Sequence, residues 1–265
     1  DNFHTFQLKK NGKIFSIQTI VFEDNSFEIT IKDISRTEKT RLMKQEMTNN
    51  IAHEIRTPVT SLRGYLETLS TQQLPSEKQA QFIERAYQQS IRLSNLIDDV
   101  SLISKIEEAS SQFTLEKVNL SQLINDVRID LLDRLEANDI KLNISVNDHL
   151  VINGNYTLLY SIFRNLFDNS INYAGQHIVI NINNYMEDNE FVYFTYCDTG
   201  RGVEEQYLPR LFERFYRVNE GRTRDTGGSG LGLSIVRNAV IFHKGEIQVK
   251  NRLEGGLEFF FTLKK

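Results

Sequence analysis

The sequence predicts an α+β chain in which a dimeric four-helix bundle, built from helical hairpins, is followed by an α/β sandwich. Three observations carry this. Seam residues, most of them apolar, recur at steps of four and three from Thr48 to Leu69, and again from Phe82 to Ile103, the spacing of a helical seam. A break containing Pro75 separates the two runs, which makes them an antiparallel hairpin. From residue 111 onward strand-like and helix-like stretches alternate, as in a sheet covered by helices.

Residues 1–35 read as three strands over 3–34, turned at Asn11-Gly12 and at Glu23-Asp24-Asn25-Ser26. Three strands make a poor core alone, so this piece is expected to close a larger domain truncated upstream. The opening Asp1-Asn2-Phe3-His4, without Met, likewise implies an excised fragment. Residues 36–110 form the hairpin. Its first seam is Thr48, Ala52, Ile55, Val59, Leu62, Leu66 and Leu69; Ser76 starts the second helix, whose seam is Phe82, Ala86, Gln89, Leu93, Leu96, Val100 and Ile103. Ile83, Ile91 and Ile97 widen the apolar stripe beyond one partner helix, which dimerisation would bury; a hairpin packed on its own chain is the alternative. Polar Glu107–Gln112 reads as a linker. In 111–265, Asn119 caps a helix to about Ala137, Ile140–Val146 alternates as a strand, and Tyr156–Tyr173 is helical. Strands follow near 177–184 and 190–198, then a helix over 231–243 and two final strands. One mixed sheet with helices on one face is expected.

The 265 residues are 40% hydrophobic and carry a net charge of −4, which suits a folded chain and gives nucleic acid no clustered cations to grip. No apolar run reaches the ~20 residues that span a bilayer. The lone Cys197 excludes an internal disulfide and reads as a small buried thiol.

Two regions carry chemistry. His53-Glu54-Ile55-Arg56-Thr57-Pro58 sets an imidazole, a carboxylate and a hydroxyl on neighbouring turns of the first helix. His53 follows the seam residue Ala52, about 100° around the axis, and so points off the core. Pro58 cannot donate to the carbonyl of Glu54, which predicts a kink just below His53. The second region comprises three segments. Asn165 and Asn169 share a helix face, either as solvated amides or as neutral oxygen ligands for phosphate-bound Mg2+. Asp198-Thr199-Gly200-Arg201-Gly202 is either a plain turn or an acid presented at a strand end to a base amino group. Gly227-Gly228-Ser229-Gly230-Leu231-Gly232-Leu233 opens a helix with successive free N–H groups, an anion cradle without the lysine of a Walker loop.

With Leu211-Phe212-Glu213-Arg214-Phe215-Tyr216-Arg217 between the last two, these segments resemble the N, G1, F and G2 boxes of sensor histidine kinases of two-component systems. Ala52–Pro58 resembles the H box of that family, and the resemblance covers about residues 40–265. It implies a dimerisation and histidine phosphotransfer domain over 36–110, and a GHKL-type catalytic domain over 111–265 that uses ATP and Mg2+. It makes His53 the phosphate acceptor, Asn169 the Mg2+ ligand, and Asn165 and Tyr173 phosphate-side residues. Asp198, Gly200 and Gly202 line the base, and Gly228, Gly230, Leu231 and Gly232 shape the phosphate loop. Residues from about Arg201 to Gly230 form a lid pinned by Phe212 and Phe215, with Arg217 reaching the nucleotide. Lys32-Asp33-Ile34-Ser35 resembles the end of a PAS sensor domain; an unrelated hairpin fits it as well. Asn172 stands where the family commonly has a basic residue, a loss Arg222 and Arg224 could offset, and Leu257 replaces a small hydroxyl residue.

The implied reaction is autophosphorylation of His53, with Glu54 taking the imidazole proton, then transfer to an aspartate of a response regulator receiver domain. Glu54-x-x-Thr57 resembles the pattern of family members that also dephosphorylate the regulator. The regulator is expected to dock along Thr60, Ser61, Gly64, Tyr65 and Thr68. The implied setting is the cytoplasmic portion of an inner-membrane sensor, tied to the membrane only through a segment absent from this fragment and dimeric through the hairpin. The rival readings are an ATPase of the same nucleotide fold, a degenerate kinase acting as a scaffold, and a phosphocarrier that does not use ATP.

Overall fold

The computed structural model describes residues 2–108, 110–218 and 228–265, which fall into two compact units, Asp1–Thr57 and Pro58–Lys265. The first opens with an antiparallel sheet of β1 (Asn2–Lys10), β2 (Lys13–Val21) and β3 (Phe27–Asp33). Asn11 and Gly12 take φ of 52° and 75°, the left-handed pair of a two-residue hairpin loop. At the second turn Asp24 Oδ1 accepts from the Ser26 N–H at 3.0 Å. Phe27, Ile29 and Ile31 alternate with Glu28, Thr30 and Lys32 along β3, and all three apolar side chains are exposed.

Helix α1 (Ser35–Thr71) begins where Asp33 Oδ1 accepts from the Ser35 N–H at 3.0 Å. It runs through Pro58 as one helix, and the Thr57 hydroxyl donates to the His53 carbonyl at 3.4 Å. Helix α2 (Ser76–Glu108) follows a short loop. Its predicted seam is the packed face: Ala86, Leu96 and Ile103 are buried, and Phe82, Gln89, Leu93 and Val100 half-buried. The α1 seam is corrected. Pro58, Leu62, Tyr65 and Leu69 form the covered stripe, Tyr65 meeting Phe82 with ring centroids 5.7 Å apart. Ala52, Val59 and Leu66 are exposed, as are Ile83, Ile91 and Ile97. Periodicity alone could not separate these two neighbouring stripes.

The rest of the second unit is the sandwich. Its sheet has the order β5 (Lys141–Ser145), β7 (Val179–Glu187), β8 (Phe191–Asp198), β10 (Leu257–Lys264), β9 (Ile247–Asn251), with β5 and β7 parallel and every other pair antiparallel. Alternate residues (Ile180, Ile182, Val192, Phe194, Tyr196, Phe259, Phe261) join the apolar faces of α3 (Leu120–Asp130), α5 (Tyr156–Tyr173) and α6 (Gly232–Phe242) in one core. Cys197 lies on the opposite face of β8, half-buried rather than buried, with its sulfur 3.8 Å from Asn181 Nδ2. Burial pushes its thiol pKa up, which disfavours the reactive thiolate.

Two features depart from the sequence expectation. The helix capped by Asn119, whose Oδ1 accepts from the Gln122 N–H at 3.0 Å, stops at Asp130, and a short α4 (Leu132–Ala137) continues after Leu131. Leu131, buried at φ −107°, ψ 4°, breaks the helical run as its side chain enters the core. A two-stranded sheet of β4 (Glu116–Asn119) and β6 (Val151–Gly154) was also not anticipated.

Candidate functional site

Helix α5 supplies the first wall of the candidate nucleotide site. Asn155 caps it, its Oδ1 accepting from the Leu158 N–H at 3.1 Å, and Leu158, Leu159, Ile162, Phe163, Leu166 and Phe167 bury one side. Asn165, Asn169, Asn172 and Tyr173 are then left on the half-buried side. Asn165 Nδ2 donates to the Ser161 carbonyl at 2.8 Å, which turns its oxygen toward Gly232: a Cβ there would meet Asn165 Oδ1 at 2.7 Å. The Tyr173 hydroxyl lies against Gly228 in the same manner. The glycine segment and α5, some sixty residues apart in sequence, thus close on one another at two points. The Asn169 side chain makes no hydrogen bond to any described residue; a half-buried amide oxygen without a donor is the kind of hard neutral ligand that Mg2+ accepts.

Asp198, at the end of β8, is 2% exposed. Its Oδ2 accepts from the Ser170 hydroxyl at 3.0 Å and its Oδ1 from the Gly200 N–H at 2.9 Å. Tyr196 OH completes the knot, 3.0 Å from Ser170 Oγ and from the Leu166 carbonyl. A carboxylate offers about four acceptor positions, so this fixed acid keeps room for a further donor. Gly200 packs against Ala174 at the end of α5, where a Cβ would come within 2.5 Å of the alanine methyl. Gly202, at φ 65°, faces Asn251 Oδ1.

Phe212 and Phe215, the expected pins of a lid, lie in the described part of that segment. Phe212 sets its ring edge-on to Phe259, centroids 6.4 Å apart. Phe215, at φ 61°, donates its N–H to the Gly230 carbonyl at 2.9 Å. Arg217 is half-buried beside it. Leu231 is fully buried and enters the site only through its backbone, its N–H donating to Ser229 Oγ at 3.2 Å. Arg222, Arg224 and Gly227 lie outside the described residues.

The imidazole of His53 is 73% exposed on α1, and its Nδ1 lies 3.8 Å from Glu54 Oε1. Nε2 is the nitrogen turned from the carboxylate, the arrangement in which one ring nitrogen attacks and the other passes its proton on. Thr57, one turn below, is exposed. Along the expected docking face Thr60 and Gly64 are exposed, whereas Tyr65 is taken up by its contact with Phe82.

Comparison with known proteins agrees on both regions. The family model of the His Kinase A (phospho-acceptor) domain matches residues 43–109, and that of the histidine kinase-, DNA gyrase B- and HSP90-like ATPases matches 154–265. The phosphate regulon sensor protein PhoR of Haemophilus influenzae is 31% identical over 258 residues, 97% of this chain and 60% of that protein. Drug sensory protein A of Synechocystis is 34% identical over 249 residues, 89% of this chain and 37% of that protein. The chain pairs a phospho-acceptor domain with an ATPase domain, both of histidine kinase type. It spans about half the length of the curated relatives it matches. In fold, the chain superposes on histidine kinase ThkA in complex with response regulator protein TrrA, with a TM-score of 0.67 at 23% identity, over 99% of this chain and 78% of that one. Acinetobacter baumannii histidine kinase AdeS gives a TM-score of 0.63 at 23% identity, over 80% and 96%. No helix of the described residues is long and apolar enough to cross a membrane.

Three residues that reasoning from sequence missed, Ser170, Asp99 and Arg134, contact residues of the candidate site. Ser170 anchors Asp198; its signal was a hydroxyl on the apolar side of α5. Asp99 of α2 accepts from the Ser229 hydroxyl at 3.1 Å, tying the glycine segment to the hairpin, while Arg214 pairs with Glu107. Arg134 of α4 binds Asp168 and Asn172 of α5. Nothing local in sequence signals these last contacts.

Proposed function

We propose that the chain transfers the γ-phosphoryl group of ATP to His53 and then to an aspartate of a response regulator receiver domain. The carrying observation is the pairing of an exposed imidazole with Glu54 at Nδ1. Nε2 attacks phosphorus as the bond to the ADP oxygen breaks, and the Nδ1 proton passes to the Glu54 carboxylate. Asp198 orients the adenine amino group, with Gly200 and Gly202 giving the flat base close approach. Asn165, Tyr173, Arg217 and the N–H groups from Gly228 to Gly232 hold the phosphates. Asn169 would hold Mg2+, which would supply charge neutralisation to the phosphates.

The exposed stripe of Val59, Leu66, Ile83, Tyr87 and Ile97 supports a homodimer through the hairpin, since apolar rows of this length are normally covered. Thr57 supports a phosphatase activity toward the regulator, by orienting the attacking water. The setting proposed is the cytoplasmic side of a membrane sensor, reached through a segment outside this chain.

Labelled ATP offered to the wild type, His53→Gln and Asn169→Ala tests the reading. Acid-labile, base-stable label on the wild type alone supports it. Steady phosphate release without bound label supports a plain ATPase instead.

A further inference from the structure

Helix α5 carries the polar face of the nucleotide site, yet its charged residues are only Arg164 and Asp168, which cancel. A triphosphate on this face therefore needs positive charge from elsewhere. It also needs the Asp168 carboxylate screened, since Asp168 lies three residues after Asn165 and one before Asn169, at the edge of the same face.

Among the described residues, α4 brings a cation to this point. Arg134 rises from α4, thirty-four residues before Asp168 in sequence, with Nη1 on Asp168 Oδ1 and Nη2 donating to Asn172 Oδ1 at 3.1 Å. Arg164 Nε binds the other oxygen of the same carboxylate at 3.0 Å. Two guanidinium groups on one carboxylate leave a net charge of +1 beside Asn172. Asn172 is three residues after Asn169 and seven after Asn165, on the helical row of the amides. The Arg134 side chain is 42% exposed, and a guanidinium has five N–H donors, of which these two contacts use two. The break at Leu131 makes the reach possible, because α4 begins a new helical run there. Asn138 Nδ2 donates to the Arg134 carbonyl at 2.8 Å and holds that turn.

We propose that Arg134 is a phosphate-binding residue of the nucleotide site, supplying from α4 the cation that α5 lacks at Asn172. It grips a terminal phosphate oxygen with its remaining donors while Asp168 fixes its orientation. This rests on the nucleotide reading given above.

Equilibrium titration of the full chain with ATP, ADP and adenosine at saturating Mg2+ tests it, using wild type, Arg134→Gln and Arg134→Lys. Arg134→Gln is expected to weaken ATP binding on the order of tenfold, ADP less, and adenosine by under about twofold. Arg134→Lys should fall between, since lysine keeps the charge but not the planar fork. Equal losses for ATP and adenosine would mean that Arg134 merely holds α4 against α5, and would overturn the proposal, as would ATP binding unchanged in Arg134→Gln. Failure of the unaltered chain to bind ATP would overturn the nucleotide reading and this proposal together; an insensitive Arg134→Gln overturns this proposal alone.

Discussion

Asn165 Oδ1 lies 2.7 Å from the point at which a Cβ on Gly232 would stand. The contact locks the start of α6 to the amide face of α5, and the backbone N–H groups between Gly228 and Gly232 gain their position from it. Gly232→Ala is expected to push the two apart. Such overpacking costs about 1–3 kcal/mol, so ATP affinity should drop roughly tenfold by titration. Adenosine, held at the Asp198 end, should bind nearly as before.

Asp99 faces Ser229 from α2, and burial pushes its carboxyl up from 3.8 to about 6, with Asp168 and Asp98 adding to the shift. The folded chain thus keeps a proton that the unfolded chain releases. The favourable contribution is complete below pH 3.8 and lost as the pH rises through 6, a swing on the order of 2–3 kcal/mol. Asp99→Asn keeps an acceptor for Ser229 and removes the charge. It should melt above the wild type at pH 8 and close to it at pH 4, by calorimetry.

His243 has the opposite sign. Its Nε2 accepts from the Asn155 N–H at 3.0 Å, and Nδ1 lies 2.7 Å from the Ala239 carbonyl. Burial holds its pKa below 6.5, so a buried neutral ring must charge in acid. Its contribution is present above pH 6.5 and lost as the pH falls below it. In the Asp99→Asn background the melting temperature should fall between pH 7.5 and 5.5, and His243→Gln should flatten that fall.

These two groups mark where the sequence stopped being legible. The ends of the hairpin helices could be read almost to the residue, α2 starting at Ser76 as its cap predicted, because a proline break and a cap are local signals, whereas the packed stripe of α1 was not. Asn165, Asn169 and Asp198 could be picked out because core packing does not ask for those side chains. The pair β4–β6 could not: each strand is four residues long, and their pairing spans two helices and a strand. Asp99 reaches Ser229 across 130 residues and Arg134 reaches Asp168 across 34, contacts that only the folded core creates.

Thr57 stands one turn below His53 with its hydroxyl bonded to the His53 carbonyl. That bond is weak at 3.4 Å, so removing the hydroxyl should leave the helix intact. Thr57→Ala is therefore expected to keep autophosphorylation within about twofold while regulator dephosphorylation falls tenfold or more. Loss of both in parallel would reject the separate role of Thr57.

The most direct measurement of the central claim is uptake of label from γ-labelled Mg·ATP by wild type and His53→Gln. The account predicts stoichiometric, acid-labile and base-stable label on the wild type, and none on His53→Gln at unchanged ATP affinity. Equal labelling of the two chains, or no labelling of a wild type that binds ATP, would contradict it.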